Sequence, residues 1–288
     1  MAQEFGTHWI SYPLPDDSTE ILFRRTFKSE GYKPHKATIT VATTGKIRIY
    51  VNERNISREV VISNRGQGVS FYTYDVTRFM QPDSNIIAVW YAPNNIPYAG
   101  KQLSLEFYGI DYLEKSFYHH TDKSWFCKSI NAYAKEGQEY FDATTFPQAW
   151  KYIEQNTRGW LRPLGANSHS KSTTKELYPL DSIYILAKKI SPIAVTTDSV
   201  GTVHADFGRP FSGTVRLTLR NAKRGEHIMM DNFTYVCTGE MDEQCFRRFT
   251  ESNSRIIRIS GDSRFSPKQI QNIEGLEMTL SPHESYLY

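Results

Sequence analysis

The sequence has 288 residues, with 34 basic and 31 acidic side chains scattered along it and a formal net charge of +3. That length accommodates two domains, each able to bury its own core, and the absence of a basic block argues against nucleic acid as the main partner. With 39% hydrophobic and 23% charged residues the chain reads as globular, and no apolar run approaches the roughly 18 residues that would cross a bilayer as a helix.

Aromatic residues stand out: 18 Tyr, 16 Phe and 5 Trp make up 14% of the chain. Strand-rich cores use such side chains, and the apolar faces of sugar rings are a second natural partner for them. Cys127, Cys237 and Cys245 form no paired CxxC zinc pattern. Cys237 and Cys245 either face each other across a hairpin or remain free and buried. The opening MAQEFGTHW lacks a basic region followed by an apolar stretch, so it holds no signal peptide. A polar start before the first strand suits an exported protein whose signal has been removed, which predicts a periplasmic or cell-surface location and leaves the cytoplasm open.

From Glu20 the pattern is strand after strand. EILFRRTF comes first, then KATITVATTGKIRIYVN, where Ile39 and Val41 alternate with polar neighbours and Ile47, Ile49 and Val51 repeat the pattern after a Thr-Thr-Gly turn. REVVIS, VSFYTYDVT and SNIIAVWYAPN follow at short spacing, separated by Asn, Gly, Pro and Ser clusters, a rhythm that suits an antiparallel sandwich. FPQAWKYIEQN then sets Phe146, Trp150 and Ile153 four and three residues apart, on one face of a predicted short helix. GWLRPLGANSHSKSTTKELYP reads as a linker, dividing residues 1–178 from residues 179–288. A second strand-rich block runs from about Ser182 to the end, through GTVHADFG, GTVRLTLRN, EHIMMDNFTYVCTG and SRIIRISG. The predicted fold is all-β: two β-sandwich domains with one short helix. No Gly-rich phosphate loop, HExxH or GxSxG is present.

The order RRTF, ATTGKIRIYVN, YDVT and NIIAVWY resembles the jelly-roll, galactose-binding-like domain that precedes the catalytic barrel in bacterial α-L-rhamnosidases. SW, then EYFDAT and a later Trp, resembles that family's GE-x-YDAR signature, with Glu139, Asp142 and Ala143 in place and Thr where Arg is usual. VHADFGRPFSG resembles the DFGQN-x-G stretch that opens a second sandwich. The turn that usually reads VNG is VNERN here, and DFGQN has become DFGRP. The family's helical barrel, which carries both catalytic carboxylates, has no counterpart in these residues.

The resemblance implies a non-catalytic, carbohydrate-binding chain whose partner is a rhamnose-containing or other plant-type glycan. It also implies a sugar site on the first domain, with calcium as the one candidate cofactor, held by oxygen ligands. The matching positions are Asn52, Asn94 and Asn95, with Trp90, Tyr91 or Tyr98 available to stack; the alternative is that these asparagines form turns and the aromatics fill the core. Glu139 and Asp142 read as carboxylates that hydrogen-bond backbone at a domain edge. Asp206 reads as the acceptor for the FGRPFSG bend, with Gly208 and Gly213 supplying dihedrals that other residues disfavour. Glu240, Asp242 and Glu243 read as a solvated hairpin tip, and His119 and His120 as surface residues without ligand spacing. Two further readings stay open: a fragment or variant of an active glycoside hydrolase, and a β-sandwich module that binds another protein through an exposed aromatic patch.

Overall fold

The computed structural model describes residues 8–14, 19–29, 31–57, 70–93, 101–135, 137–166 and 182–282. The chain begins with β1 (Trp9–Ser11), β2 (Thr19–Lys28), β3 (Lys36–Thr43), β4 (Lys46–Val51), β5 (Arg54–Asn55) and β6 (Ser70–Asp75). Next come β7 (Ser84–Ala92), β8 (Gln102–Ile110), β9 (Ser116–His120), β10 (Phe126–Lys135), β11 (Gln138–Asp142) and β12 (Leu164–Ala166). After them run β13 (Ser182–Ile190), β14 (Ala194–Thr197), β15 (Val203–Arg220), β16 (His227–Met230), β17 (Phe233–Val236), β18 (Asp242–Cys245), β19 (Ser252–Gly261) and β20 (Ile270–Pro282). Among the described residues the helical elements are two 3₁₀ turns, Thr77–Phe79 and Pro267–Gln269. None is long and apolar enough to cross a membrane. The strands fall into two compact units: Met1–Ile130 with Pro147–Ile183 and Pro282–Tyr288, and Asn131–Phe146 with Tyr184–Ser281. The predicted linker around residues 167–181 lies outside the described residues.

The first unit has one sheet in the order β12-β1-β8-β3-β6, with β9 on β8, and another in the order β2-β7-β4-β5. Alternation explains the burial: Ile39 and Val41 on β3, and Ile47, Ile49 and Val51 on β4, are completely enclosed. Phe27 of β2 meets Phe107 of β8 at a centroid distance of 5.2 Å, as inner faces of a sandwich do. β2 departs from strict alternation, because Ile21, Leu22, Phe23 and Arg24 are all buried in succession.

The cause is the segment that the spacing of Phe146, Trp150 and Ile153 predicts as a helix. It forms successive turns instead, with Trp150 N–H donating to Pro147 O, Tyr152 N–H to Ala149 O and Gln155 N–H to Tyr152 O. Arg24 donates to the carbonyls of Trp150 (3.0 Å) and Tyr152 (2.8 Å), which in a helix would accept from N–H groups four residues on. Trp150 packs edge-on against Tyr50 at 5.1 Å and Trp90 at 6.3 Å. The apolar spacing therefore marks a docked segment, held by its own turns and by a buried guanidinium rather than by a helical ladder.

The second unit is organised on β15, with β20 and β19 to either side, β16 and β17 beyond β19, then β11 parallel to β17; β14 and β18 also pair with β15. DFGRP is a bulge within this one long strand, where the register on β19 shifts between Asp206 and Phe211. Gly208 there has φ 77°. At Gly213, with φ 154°, a Cβ would come within 2.1 Å of Leu276 O, so only glycine lets β20 approach. All three cysteines are buried and free, which leaves Cys237 and Cys245 as separate thiols.

Candidate functional site

Of the residues expected to bind calcium or sugar, Asn52, Trp90 and Tyr91 have other occupations. Asn52 and Glu53 are the two central residues of the β4–β5 hairpin, with φ of 45° and 71°, and the pairing of Val51 with Arg54 leaves no others in the loop. Two left-handed residues define the hairpin turn in which Asn-Gly is preferred. The Asn52 amide donates to Phe79 O (2.8 Å) and Asn85 Oδ1 (2.7 Å) and accepts from Ile86 N–H (2.9 Å). Buried to 8% exposure and bonded through both polar atoms, it does not fit a calcium shell. Trp90 donates from Nε1 to Glu20 (2.6 Å) and Tyr91 shares a hydrogen bond with Thr44 (2.9 Å). Both rings are buried, so neither offers a face for a sugar. Asn94, Asn95 and Tyr98 lie outside the described residues. Among the described residues, no three His, Cys, Asp or Glu side chains converge as a metal-holding group.

Asn52 nevertheless leads to a site. Asn85, which it bonds, donates to Ser29 Oγ at 3.0 Å, and Ser29 is in the wall of a cavity of about 220 Å³. Phe27, Lys28 and Ser29 at the end of β2 form one wall, Phe107 of β8 with Phe117 and His119 of β9 another. Tyr32, Pro34, Met80, Asp111 and Tyr112 complete it. Cross-strand neighbours β8 and β9 bring the rings together: Phe107 lies 5.1 Å from Phe117 and 6.0 Å from His119, and His119 is 5.1 Å from Phe27. Near the surface Tyr32 and Tyr112 pair at 4.4 Å, and Tyr32 remains 60% exposed.

Asp111 Oδ1 accepts from the N–H groups of Leu113 and Lys115, both at 2.8 Å, which fixes the β8–β9 turn and Tyr112 with it. His119 is half-buried, a correction to its reading as a surface residue. Desolvation, then the nearby Arg25 guanidinium, lower its pKa below the ordinary histidine value against an opposing pull from Asp122, so it is neutral near pH 7. Aromatic walls with a few fixed polar groups are the usual make-up of a small-molecule site. The volume lies below the roughly 300–1,000 Å³ of drug-sized pockets and suits a single small ring. Among the described lining residues Asp111 is the only carboxylate, whereas glycoside hydrolysis uses two.

The carboxylates of the second unit are bonded within the fold. Glu139, 2% exposed, accepts from the backbone N–H of Arg248, from those of Phe249 (3.1 Å) and Thr250 (2.8 Å), and from Thr250 Oγ1 (2.8 Å). Asp142 accepts from Asn131 Nδ2 (2.8 Å) and from the N–H (2.9 Å) and hydroxyl (2.6 Å) of Thr144. Desolvation would raise its pKa, but these hydrogen bonds outweigh it and hold the carboxyl below the usual range. Asp206 accepts from Gly208 N–H (2.7 Å) and is gripped by Arg255 at 2.8 and 2.7 Å. The Arg255 hydrogen bonds, then that of Gly208, lower its pKa to about 2. Glu243, expected at a solvated tip with Glu240 and Asp242, is 2% exposed. It accepts from the Tyr235 hydroxyl (3.0 Å), Thr238 N–H and Gly239 N–H (2.8 Å), so it knits the hairpin from inside, while Glu240 and Asp242 are exposed.

No family model matches the chain. Among curated proteins it is similar to an α-L-rhamnosidase of Streptomyces avermitilis, 22% identical over 284 residues that take in 86% of this chain and 27% of that protein. Among solved structures, the α-L-rhamnosidase from Dictyoglumus thermophilum superposes with a TM-score of 0.79 at 20% identity, covering 94% of this chain and 35% of that one. The Streptomyces avermitilis α-L-rhamnosidase complexed with L-rhamnose gives 0.77 at 20% identity, covering 93% and 29%. The native enzyme from Aspergillus terreus gives 0.76 at 16%, covering 96% and 36%. The chain thus spans about a third of these relatives. It is an all-β module that resembles, in sequence and in fold, a part of the α-L-rhamnosidases.

Proposed function

We propose that the chain binds carbohydrate without hydrolysing it, and that the aromatic cavity of the first unit receives one sugar ring of a glycan. The observation that carries this reading is the cavity's composition: five Phe and Tyr rings and His119 around a small volume, with Lys28, Ser29 and Asp111 as polar groups. The similarity to an enzyme solved with L-rhamnose supports a sugar as the occupant, with a rhamnose-containing or other plant-type glycan as the first class to try. Against hydrolysis, Asp111 is the one carboxylate among the described residues of the cavity wall, where a glycosidase sets two. Asp142 and Asp206 of the second unit have lowered pKa values, the wrong direction for a general acid.

A shallow site that replaces strong hydration gives micromolar to millimolar affinity, about 4 to 8 kcal/mol. Calorimetric titration with rhamnose oligosaccharides and other plant glycans, with and without a chelator, tests this. Binding that survives chelation and weakens in Tyr32→Ala is expected. Binding lost on chelation and untouched by Tyr32→Ala moves the site to a calcium ion at the Asn94 and Asn95 positions, and turnover of an aryl rhamnoside replaces this reading with the hydrolase.

A further inference from the structure

Strand register in the second unit lines up a row of side chains across one face of the sheet. Tyr133 of β10 is opposite Tyr140 of β11, Tyr140 pairs with Thr234 of β17, Thr234 with Met229 of β16, and Met229 with Ser260 of β19. Their chain neighbours Ala132, Ala134, Phe141, Phe233, Ile228 and Met230 are buried, so alternation turns the row outward. Tyr133 and Met229 are 37% and 38% exposed. The Tyr133 and Tyr140 rings stack at 5.5 Å and 11°, an offset arrangement that leaves part of each ring uncovered by the other. Polar side chains border the row on both sides: Asn131 donates to Asp142 (2.8 Å) along one, and Lys135, Gln138 and Asn232 are exposed along the other. These margins add no free charge, because Asp142 also accepts from Thr144 and Lys135 has a partner in the chain.

We propose that this face is a second carbohydrate surface, separate from the cavity, and that it takes a linear, uncharged β-1,4-linked glucan or xylan. A pyranose with equatorial hydroxyls has an apolar C–H face and a polar rim, which matches a strip one side chain wide between polar margins. A protein partner instead needs a wider apolar core. The amides of Gln138 and Asn232 each offer both a donor and an acceptor to sugar hydroxyls. From Tyr133 to Met229 the row crosses from β10 over β11 and β17 to β16, about 14 Å at the usual strand spacing, which is the reach of a short oligosaccharide rather than of one ring.

The test is calorimetric titration with cellopentaose, xylopentaose and, as a bent-chain control, maltopentaose. The first two should bind and maltopentaose more weakly, with little response to salt. Tyr133→Ala should weaken cellopentaose binding about threefold to tenfold, and Met229→Ala, on another strand of the row, should weaken it less. The unfolding midpoint of each variant shows that it is folded, and either can carry the test alone. No heat from cellopentaose or xylopentaose, equal binding of maltopentaose, or unchanged affinity in the folded variants overturns the proposal. Loss of binding in Tyr32→Ala alone assigns the ligand to the cavity, which overturns this proposal and leaves the reading of the cavity standing. A glycan that responds to Tyr133→Ala reports on this face and counts neither for nor against the cavity. A heat of dilution of the concentrated chain that disappears in Tyr133→Ala gives the face to a second copy, and that too overturns the proposal.

Discussion

In the second unit Glu139, Asp142, Asp206 and Glu243 each receive backbone N–H groups or side-chain donors from their own sheet, so their negative charge is already answered. In the first unit, a cavity is walled by rings, of which Tyr32 remains 60% exposed. Carboxylates attract attention in a sequence because they can do chemistry, yet a carboxylate that accepts three or four hydrogen bonds is a fastener. A cluster of rings with an exposed member still has recognition to offer.

The largest expected effect breaks the fastener side of this comparison. Glu139→Ala leaves the buried N–H groups of Arg248, Phe249 and Thr250 without an acceptor, and at roughly 1–3 kcal/mol for each orphaned group the loss should reach at least about 3 kcal/mol. Urea denaturation of the whole chain reads it. A loss under about 1 kcal/mol means that water replaces the carboxylate and Glu139 is available for another role.

A smaller effect of opposite sign is expected at the β4–β5 hairpin. Glu53 holds φ 71° in the position where glycine is preferred, and a side chain in the left-handed region costs roughly 1–2 kcal/mol. Glu53→Gly should raise stability by about 0.5–1 kcal/mol, net of the entropy glycine loses on folding. No gain, or a loss, means that the Glu53 side chain makes a contact that outweighs its strain.

Asp206→Ala should be milder than its two hydrogen bonds from Arg255 suggest. The pair is exposed, so only a small loss of stability is expected, with sugar binding unchanged. Because the Asp206 pKa lies near 2 when folded, against an ordinary value near 4, its contribution is complete above about pH 4 and disappears as pH falls toward 2. A pH-stability profile that is identical in wild type and variant across that window contradicts the assignment.

The smallest effect is read at His119. Its folded pKa is lowered, so below the ordinary histidine value of about 6.5 the unfolded chain binds the proton more readily and stability falls as pH drops. Replacing it with Phe should flatten that part of the profile, and an unchanged slope places its titration elsewhere.

Much of the fold was legible because alternation is a local signal: Ile39 and Val41, or Ile47, Ile49 and Val51, announce their strands within a few residues. The docked segment at Phe146 to Ile153 was misread because periodic apolar spacing does not distinguish a helix from turns whose carbonyls are satisfied by a distant Arg24. Glu139 was legible as a backbone acceptor, although its donors lie more than a hundred residues away. Glu243 looked solvated because its neighbours Glu240 and Asp242 are. The cavity left only the aromatic surplus as a trace, since Phe27, Tyr32, Phe107 and Phe117 meet through strand pairing and turn geometry that no short window contains.

The central claim, that recognition resides in the aromatic cavity of the first unit, is tested most directly by titrating one glycan that binds the unaltered chain into Tyr32→Ala under identical conditions. Tyr32 is 60% exposed, so its removal should leave the fold intact, and an aromatic contact is worth about 0.5–1.5 kcal/mol. The account predicts an affinity several-fold to about tenfold weaker with an unchanged unfolding midpoint. Unchanged affinity in a folded Tyr32→Ala chain would contradict it.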